Sequence, residues 1–387
     1  MGMGTVLDYL EEYGDYSLAE LPFSEVDSLI LSQFSYLKFD GLVPGADLES
    51  KCRRNKERLT IRKIDQSPER ERLFRDERYA KDNREFWVAL LHSRRFQNIE
   101  LDYMVDLVDK DTETQFAAVT FFLPDGAVYV AFRGTDESII GWKEDFNLAF
   151  SKPVPAQEKS VVYLNLAAHH IRGPLYVGGH SKGGNLAIYA SMYCNPRIQN
   201  RITRIYSMDG PGFRPETLQQ GHYDVIRDRV TKILPHSSMV GMLFEKKADF
   251  EIVESSVTGL MQHYPLTWVV QGDRFVKVSK LYEPAHFLDD TINEWIYSLD
   301  EEHIRIFVDT LFEVLYASES DNLIDFTADW MKSMQKVFSA LSGLDEQTKE
   351  AVKSVIKAFF EMGRYHMKEE MTGLLKNTKA KIEGEGL

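Results

Sequence analysis

Ser181 lies in Gly179-His180-Ser181-Lys182-Gly183, a G-x-S-x-G run preceded by the apolar Leu175-Tyr176-Val177 and followed by Leu186-Ala187-Ile188-Tyr189-Ala190. The first stretch reads as a buried strand and the last as the opening of an Ala-rich helix. A serine on the tight turn between them is held in a strained backbone conformation. Strand and helix approach closely there, so the positions two before and two after the serine have no room for side chains, and Gly179 and Gly183 meet that demand. The turn lifts the Ser181 hydroxyl off the sheet edge. It also aims the helix N-terminus, with its unpaired N–H groups, at any oxyanion formed on that hydroxyl. These are the requirements of a nucleophile.

A nucleophilic serine needs a base, and imidazole can take its proton near neutral pH and return it to a leaving group. After the elbow helix come three short strand-like runs, 204–208, 230–234 and 250–253, each ended by turn or polar residues. The first delivers Asp209-Gly210-Pro211-Gly212, the second His236-Ser237-Ser238, and the region past the third Gln262-His263-Tyr264. His263 fits best, lying after the last core strand, with His222, His236 and His286 as rivals. The plain alternative for any of them is a histidine bonded to a neighbouring carbonyl. Asp209 is the candidate acid, which would fix the His263 tautomer and stabilise the imidazolium; in Asp-Gly-Pro-Gly it would equally well cap a turn.

Upstream, residues 116–123 and 127–132 are β-rich runs joined by Pro124-Asp125-Gly126, a hairpin signal. The second run ends in Phe132-Arg133-Gly134-Thr135, where Thr135 is the candidate for a second oxyanion donor and Arg133 for a structural ion pair. The amphipathic, aromatic stretch 139–150 that follows would serve as a lid, an acyl pocket or an ordinary core helix.

Positioning these groups requires alternating strands and helices, hence an α/β chain with a mostly parallel central sheet flanked by helices and catalytic loops at the strands' C-terminal ends. A helix near 158–171 leads into the central strand, and 21–37 reads as a helix packed on the core. The 387 residues, 43% hydrophobic and 27% charged, suit one large soluble domain plus an appendage. The net charge of −14 argues against nucleic acid or an anionic membrane as partner. Residues 51–86 are dense in both signs of charge, which reads as a solvated helical face. Two cysteines, Cys52 and Cys194, form neither a disulfide framework nor a metal cluster, and fit a cytoplasmic location. No signal peptide pattern and no run of 18 apolar residues occurs. Nothing calls for a cofactor or a metal.

Phe132-Arg133-Gly134-Thr135, Trp142, Asp145 and Gly179-His180-Ser181-Lys182-Gly183-Gly184 resemble the paired signatures of class 3 lipases. The start at Leu21-Pro22-Phe23-Ser24, the elbow, Asp209-Gly210-Pro211-Gly212-Phe213, Ser238-Met239-Val240-Gly241 and Gln262-His263 together resemble a bacterial family of uncharacterised lipase-like proteins, over roughly residues 1–285. The resemblance implies an α/β-hydrolase fold, Ser181 as nucleophile, His263 as base, and the backbone N–H groups of Thr135 and Lys182 as oxyanion hole. The substrate it implies is an acyl ester or lipid-like small molecule. It puts Ser238 where the family's acid is expected. Either Asp209 substitutes from the neighbouring strand end, or the triad is incomplete and the chain is a hydrolase-fold binding or regulatory protein.

The expected organisation is an N-terminal helical segment over 1–95, the hydrolase core over 96–290 and a helical region over 291–387. In the last, apolar residues recur at helical spacing around 304–315, 330–341 and 352–360. Those helices would act as a structural cap, a lid or a surface for a protein partner.

Overall fold

The computed structural model describes residues 3–281, apart from 51, 54–56, 77–78, 110–113, 136–152, 170, 219–220, 239, 244–249 and 258. The stretch 139–150, with Trp142 and Asp145, and the C-terminal helices lie outside the described residues, as does His286.

Among the described residues nine strands form one sheet: β1 (Leu59–Thr60), β2 (Glu100–Asp109), β3 (Thr114–Phe122), β4 (Val128–Arg133), β5 (Leu175–His180), β6 (Ile202–Met208), β7 (Val230–Pro235), β8 (Phe250–Val253) and β9 (Lys277–Val278). Their order across the sheet is β9-β8-β7-β6-β5-β4-β3-β2-β1. Strands β4 to β8 run parallel and make up the centre, while β1 to β3 on one side and β9 on the other are antiparallel. The β3–β4 hairpin turns where its sequence says it should. Gly126 takes a φ of 86°, the Ala127 N–H donates to Asp125 Oδ1 at 3.0 Å, and the Gly126 N–H donates to the Leu123 carbonyl at 3.0 Å.

Both faces of the central strands are buried, so they read as continuous apolar runs whose alternate residues serve different cores. On β4, Val128, Val130 and Phe132 join one core with Tyr163, Leu164, Leu186 and Ala187. These partners come from the helices α4 (Pro155–His169) and α5 (Lys182–Tyr193). Tyr129 and Ala131 face the other core, with Leu29, Ile30, Phe34, Phe86 and Trp87. That side is covered by α1 (Val6–Tyr13), α2 (Glu25–Phe34) and α3 (Ala80–His92).

Helix α2 starts at Ser24, whose backbone N–H donates to Asp27 Oδ2 at 2.8 Å. The Asp27 N–H returns a bond to the serine hydroxyl, closing a capping box. The helix is buried almost along its whole length, and Ser28 and Ser32 share hydrogen bonds with the Tyr129 hydroxyl at 2.7 and 2.9 Å. This anchors the N-terminal segment to the central sheet, and β1 adds it to the sheet's edge. The charge-dense stretch is mostly a solvated surface, with exposed pairs such as Lys63–Glu57 at 2.8 Å and Arg84–Glu71 at 2.7 Å. Strand β2 carries no clean period, because Asp102, Asp106 and Asp109 interrupt its apolar residues.

Candidate active site

Strand β5 ends at His180 and α5 begins at Lys182, leaving Ser181 alone on the turn with φ 59° and ψ −136°. Such a conformation costs a non-glycine residue about 1–3 kcal/mol and persists only where its surroundings impose it. They do so here through two bonds. The Ser181 N–H donates to the Met208 carbonyl at 2.9 Å, and the Ser181 carbonyl accepts from the Gly184 N–H at 2.8 Å. A Cβ at Gly179 would overlap the backbone of Gly183 and the Phe132 carbonyl oxygen, and one at Gly183 would overlap that same oxygen. The requirement for two bare positions flanking Ser181 is therefore real, and β4 as well as α5 imposes it.

Asp209 follows the last residue of β6, with a left-handed φ of 50° and its N–H donating to the Ile233 carbonyl at 2.8 Å. Its carboxylate is buried. Oδ2 accepts from His263 Nδ1 at 2.6 Å, and the Ser238 hydroxyl donates to Oδ1. Ser238 in turn accepts from the Gly241 N–H at 3.1 Å. Because a carboxylate can only accept when ionised, Nδ1 of His263 carries the proton, and Nε2 of the neutral ring is left as an acceptor. His263 closes a short 3₁₀ turn, Gly259–His263, and is half-buried.

The rival histidines stand elsewhere. His222 is exposed and packs against Tyr193, with ring centroids 4.8 Å apart and ring planes tilted by 45°. His236 lies 3.0 Å from Gln262 Nε2 and 3.6 Å from Glu254.

The loop after β4 is pressed against the elbow. A Cβ at Gly134 would overlap the Tyr36 hydroxyl and lie 2.6 Å from the His180 carbonyl oxygen and 2.8 Å from Ser181 Cβ. Thr135 is the next residue and is half-buried. Lys182 directs its side chain away, with Nζ donating to the Gln115 carbonyl at 2.9 Å, so what it can offer beside Ser181 is its backbone. Arg133 makes the ion pair its position suggests, bidentate to Asp106 at 2.9 and 2.7 Å.

Five further residues frame this arrangement without a role assigned from the sequence. Asn185 Oδ1 accepts from Gln157 at 2.9 Å, and Nδ2 donates to the Gly212 carbonyl at 2.9 Å, tying α4 and α5 to the Asp209 loop. Gln262 is fully buried; its Oε1 accepts from the Ser237 N–H and its Nε2 donates to the Val257 carbonyl, both at 2.8 Å. Trp268 Nε1 donates to the Gln262 carbonyl at 2.8 Å, which fixes the backbone just before His263. His180 Nε2 stands 2.7 Å from the His263 carbonyl oxygen and Nδ1 stands 3.1 Å from the Tyr36 hydroxyl. His180 and Asn185 sit inside the elbow motif and Gln262 abuts the candidate base, so their place in the sequence was a usable signal. Tyr36 carried none. Among the described residues no group of His, Cys, Asp and Glu is arranged to hold a metal ion, and no helix is long and apolar enough to cross a membrane.

A large central sheet, helices on both its faces and a strained serine on a strand–turn–helix elbow define the α/β-hydrolase fold. The chain belongs to the Mbeg1-like family, whose model matches residues 90–313, more than half of its length. Solved structures similar to it include M37 lipase, at 15% identity over 57% of this chain and 70% of that one, TM-score 0.34. Lip2 lipase from Yarrowia lipolytica is similar at 15% identity over 46% and 72%, TM-score 0.30. Rhizomucor miehei lipase in its propeptide complex is similar at 16% identity over 48% and 64%, TM-score 0.31. None of the curated proteins matches the chain significantly.

Proposed function

We propose that the protein is a serine hydrolase that cleaves carboxylic esters of an acyl or lipid-like substrate through an acyl-enzyme on Ser181. The observation that carries this reading is the 2.6 Å bond between Asp209 and His263 Nδ1, which supplies the orienting acid that a working triad needs and a decayed one lacks. In this mechanism His263 Nε2 takes the Ser181 proton as Oγ attacks the ester carbonyl. The backbone N–H groups of Thr135 and Lys182 receive the oxyanion. Collapse of the tetrahedral intermediate expels the alcohol, which takes its proton from His263. Water, activated by the same imidazole, then releases the acid and frees Ser181.

The organisation we propose keeps 1–95 as a segment packed on the core, 96–290 as the hydrolase core and 291–387 as a helical region. A cytoplasmic location agrees with Cys194 being a free, buried thiol.

Labelling by a fluorophosphonate tests the reading, with wild type, Ser181→Ala and His263→Ala side by side, followed by p-nitrophenyl esters of increasing chain length. The expected result is labelling that vanishes in Ser181→Ala, together with ester turnover whose chain-length profile sizes the acyl pocket. Folded wild-type protein that takes no label would overturn the assignment.

A further inference from the structure

His180 occupies the x before the elbow serine, where the triad mechanism gives it no task. It is buried, and both its ring nitrogens have partners: Nε2 at 2.7 Å from the His263 carbonyl oxygen, Nδ1 at 3.1 Å from the Tyr36 hydroxyl. A carbonyl oxygen accepts only, so Nε2 carries the hydrogen. Nδ1 is then the acceptor, and the Tyr36 O–H donates to it. The His180 and His263 rings lie with centroids 4.4 Å apart. Tyr36 comes from the turn just after α2, in the N-terminal segment, and its hydroxyl also fills the space beside Gly134 in the loop facing Ser181.

We propose that His180 and Tyr36 are positioning residues for the triad: Tyr36 locks His180 in its Nε2–H tautomer, and that N–H holds the backbone of His263 against the elbow. The proposal rests on the serine-hydrolase reading for its catalytic consequence, though not for its geometry. The 3₁₀ turn carrying His263 is also held at Gln262, whose carbonyl accepts from Trp268 and whose side chain bonds the Ser237 N–H and the Val257 carbonyl. His180 bonds the carbonyl of His263 itself and so links it directly to the residue preceding the nucleophile. If Nδ1 carried the hydrogen instead, the lone pair of Nε2 would face the His263 carbonyl and push the base away. A neutral ring is also what the reaction requires, because an imidazolium at His180 would oppose the charge that forms on His263. Burial, with His263 beside it, keeps the His180 ring's pKa well below the ordinary 6.5.

The test compares Tyr36→Phe, His180→Gln, His180→Met and the double variant Tyr36→Phe/His180→Gln in the full chain. Glutamine places an amide N–H₂ near the position of the histidine Nε2 and has no tautomer to choose, whereas methionine fills similar space with no donor. Expected are a kcat about tenfold lower for Tyr36→Phe and about thirtyfold lower for His180→Met at nearly constant KM, with His180→Gln retaining most of it. In the glutamine background Tyr36→Phe should cost less than about twofold, since no tautomer remains to be set. Independently of activity, imidazole ¹⁵N–¹H correlation spectra should report the Nε2–H tautomer for His180 in the wild type and its loss of purity in Tyr36→Phe. Equal rates for His180→Gln and His180→Met, an undiminished Tyr36→Phe effect in the glutamine background, or an Nδ1–H tautomer in the wild type would each overturn the proposal. Wild type that hydrolyses no ester yet gives the Nε2–H signature and its Tyr36 dependence would sink the hydrolase reading and leave the latch standing.

Discussion

The Ser238 hydroxyl donates to Oδ1 of Asp209 while Oδ2 of the same carboxylate receives His263 Nδ1–H at 2.6 Å. Two neighbouring strand ends, those of β6 and β7, thereby meet on one buried acid. Ser238, where the resemblance to class 3 lipases leads one to expect an acid, is in the network as a donor to the carboxylate of the adjacent strand end. A buried carboxylate facing one imidazole needs a second donor to offset its desolvation, and Ser238 is that donor.

The first prediction separates the two roles. If Asp209 is the triad acid, Asp209→Ala should lower kcat/KM for a p-nitrophenyl ester by about 10³–10⁴-fold, the range known for losing an orienting acid. Ser238→Ala, which removes one hydrogen bond to a charge, should cost about tenfold. The transposed pair Asp209→Ser/Ser238→Asp should recover at least about tenfold over Asp209→Ser alone. Comparable activity in Asp209→Ala and wild type would end the assignment.

A second prediction concerns the elbow glycines. Gly179→Ala sets a methyl against the Gly183 backbone and the Phe132 carbonyl, none of which is the end of a flexible side chain. The expected loss is about 2–3 kcal/mol of stability, with labelling of Ser181 impaired in whatever folds. Gly126→Ala, at the hairpin turn, meets open space and suffers only its positive φ of 86°, so about 1 kcal/mol is expected. Denaturant unfolding of the two variants measures the difference.

A third follows from the N-terminal segment. Arg95 and Asp27 form an ion pair at 2.6 Å with both side chains wholly inaccessible, and the Tyr9 hydroxyl adds a bond to Asp27 at 3.1 Å. Asp27→Ala strands a guanidinium inside the protein and should destabilise it by about 3–5 kcal/mol. Replacing both partners, as Asp27→Leu with Arg95→Met, should restore much of that loss, because the cost lies in the unpaired charge. A denaturation midpoint for the double variant no higher than for Asp27→Ala would refute this account.

The fourth is a pH dependence. His180 remains neutral in the folded protein well below 6.5, the value at which it protonates in the unfolded chain. As pH falls below about 6.5, the unfolded state therefore binds a proton that the folded state refuses, and stability drops by up to about 1.4 kcal/mol per pH unit until the folded-state value is reached. Above that window the group contributes no slope. His180→Gln should flatten the acid side of the stability curve between about pH 6.5 and pH 5 relative to wild type, read as the shift of urea midpoints. Parallel curves would show that the burial of this imidazole is not what the structure indicates.

Much of this protein is determined locally and can be read from residue types in order. Gly179-His180-Ser181-Lys182-Gly183 announces its elbow because strand, strained serine and helix must follow within a dozen residues, and only glycine fits at two fixed offsets. The β3–β4 hairpin is likewise legible, its turn chemistry being confined to Pro124-Asp125-Gly126. What the tertiary structure alone decided are the long-range choices. Asp209 and His263 are 54 residues apart, and although residue type and chain order make them candidates for a pair, nothing in either neighbourhood settles that Asp209 meets the imidazole rather than caps its own turn. The same is true of Ser238, of Asp106 opposite Arg133, and of Tyr36, which reaches His180 across 144 residues. Strand β2 hid for a related reason. Its aspartates break the apolar period, and the partner that explains Asp106 lies on another strand. Local sterics write themselves into adjacent residues; a hydrogen bond between distant loops leaves no periodic trace, since it constrains two positions and leaves their neighbours free.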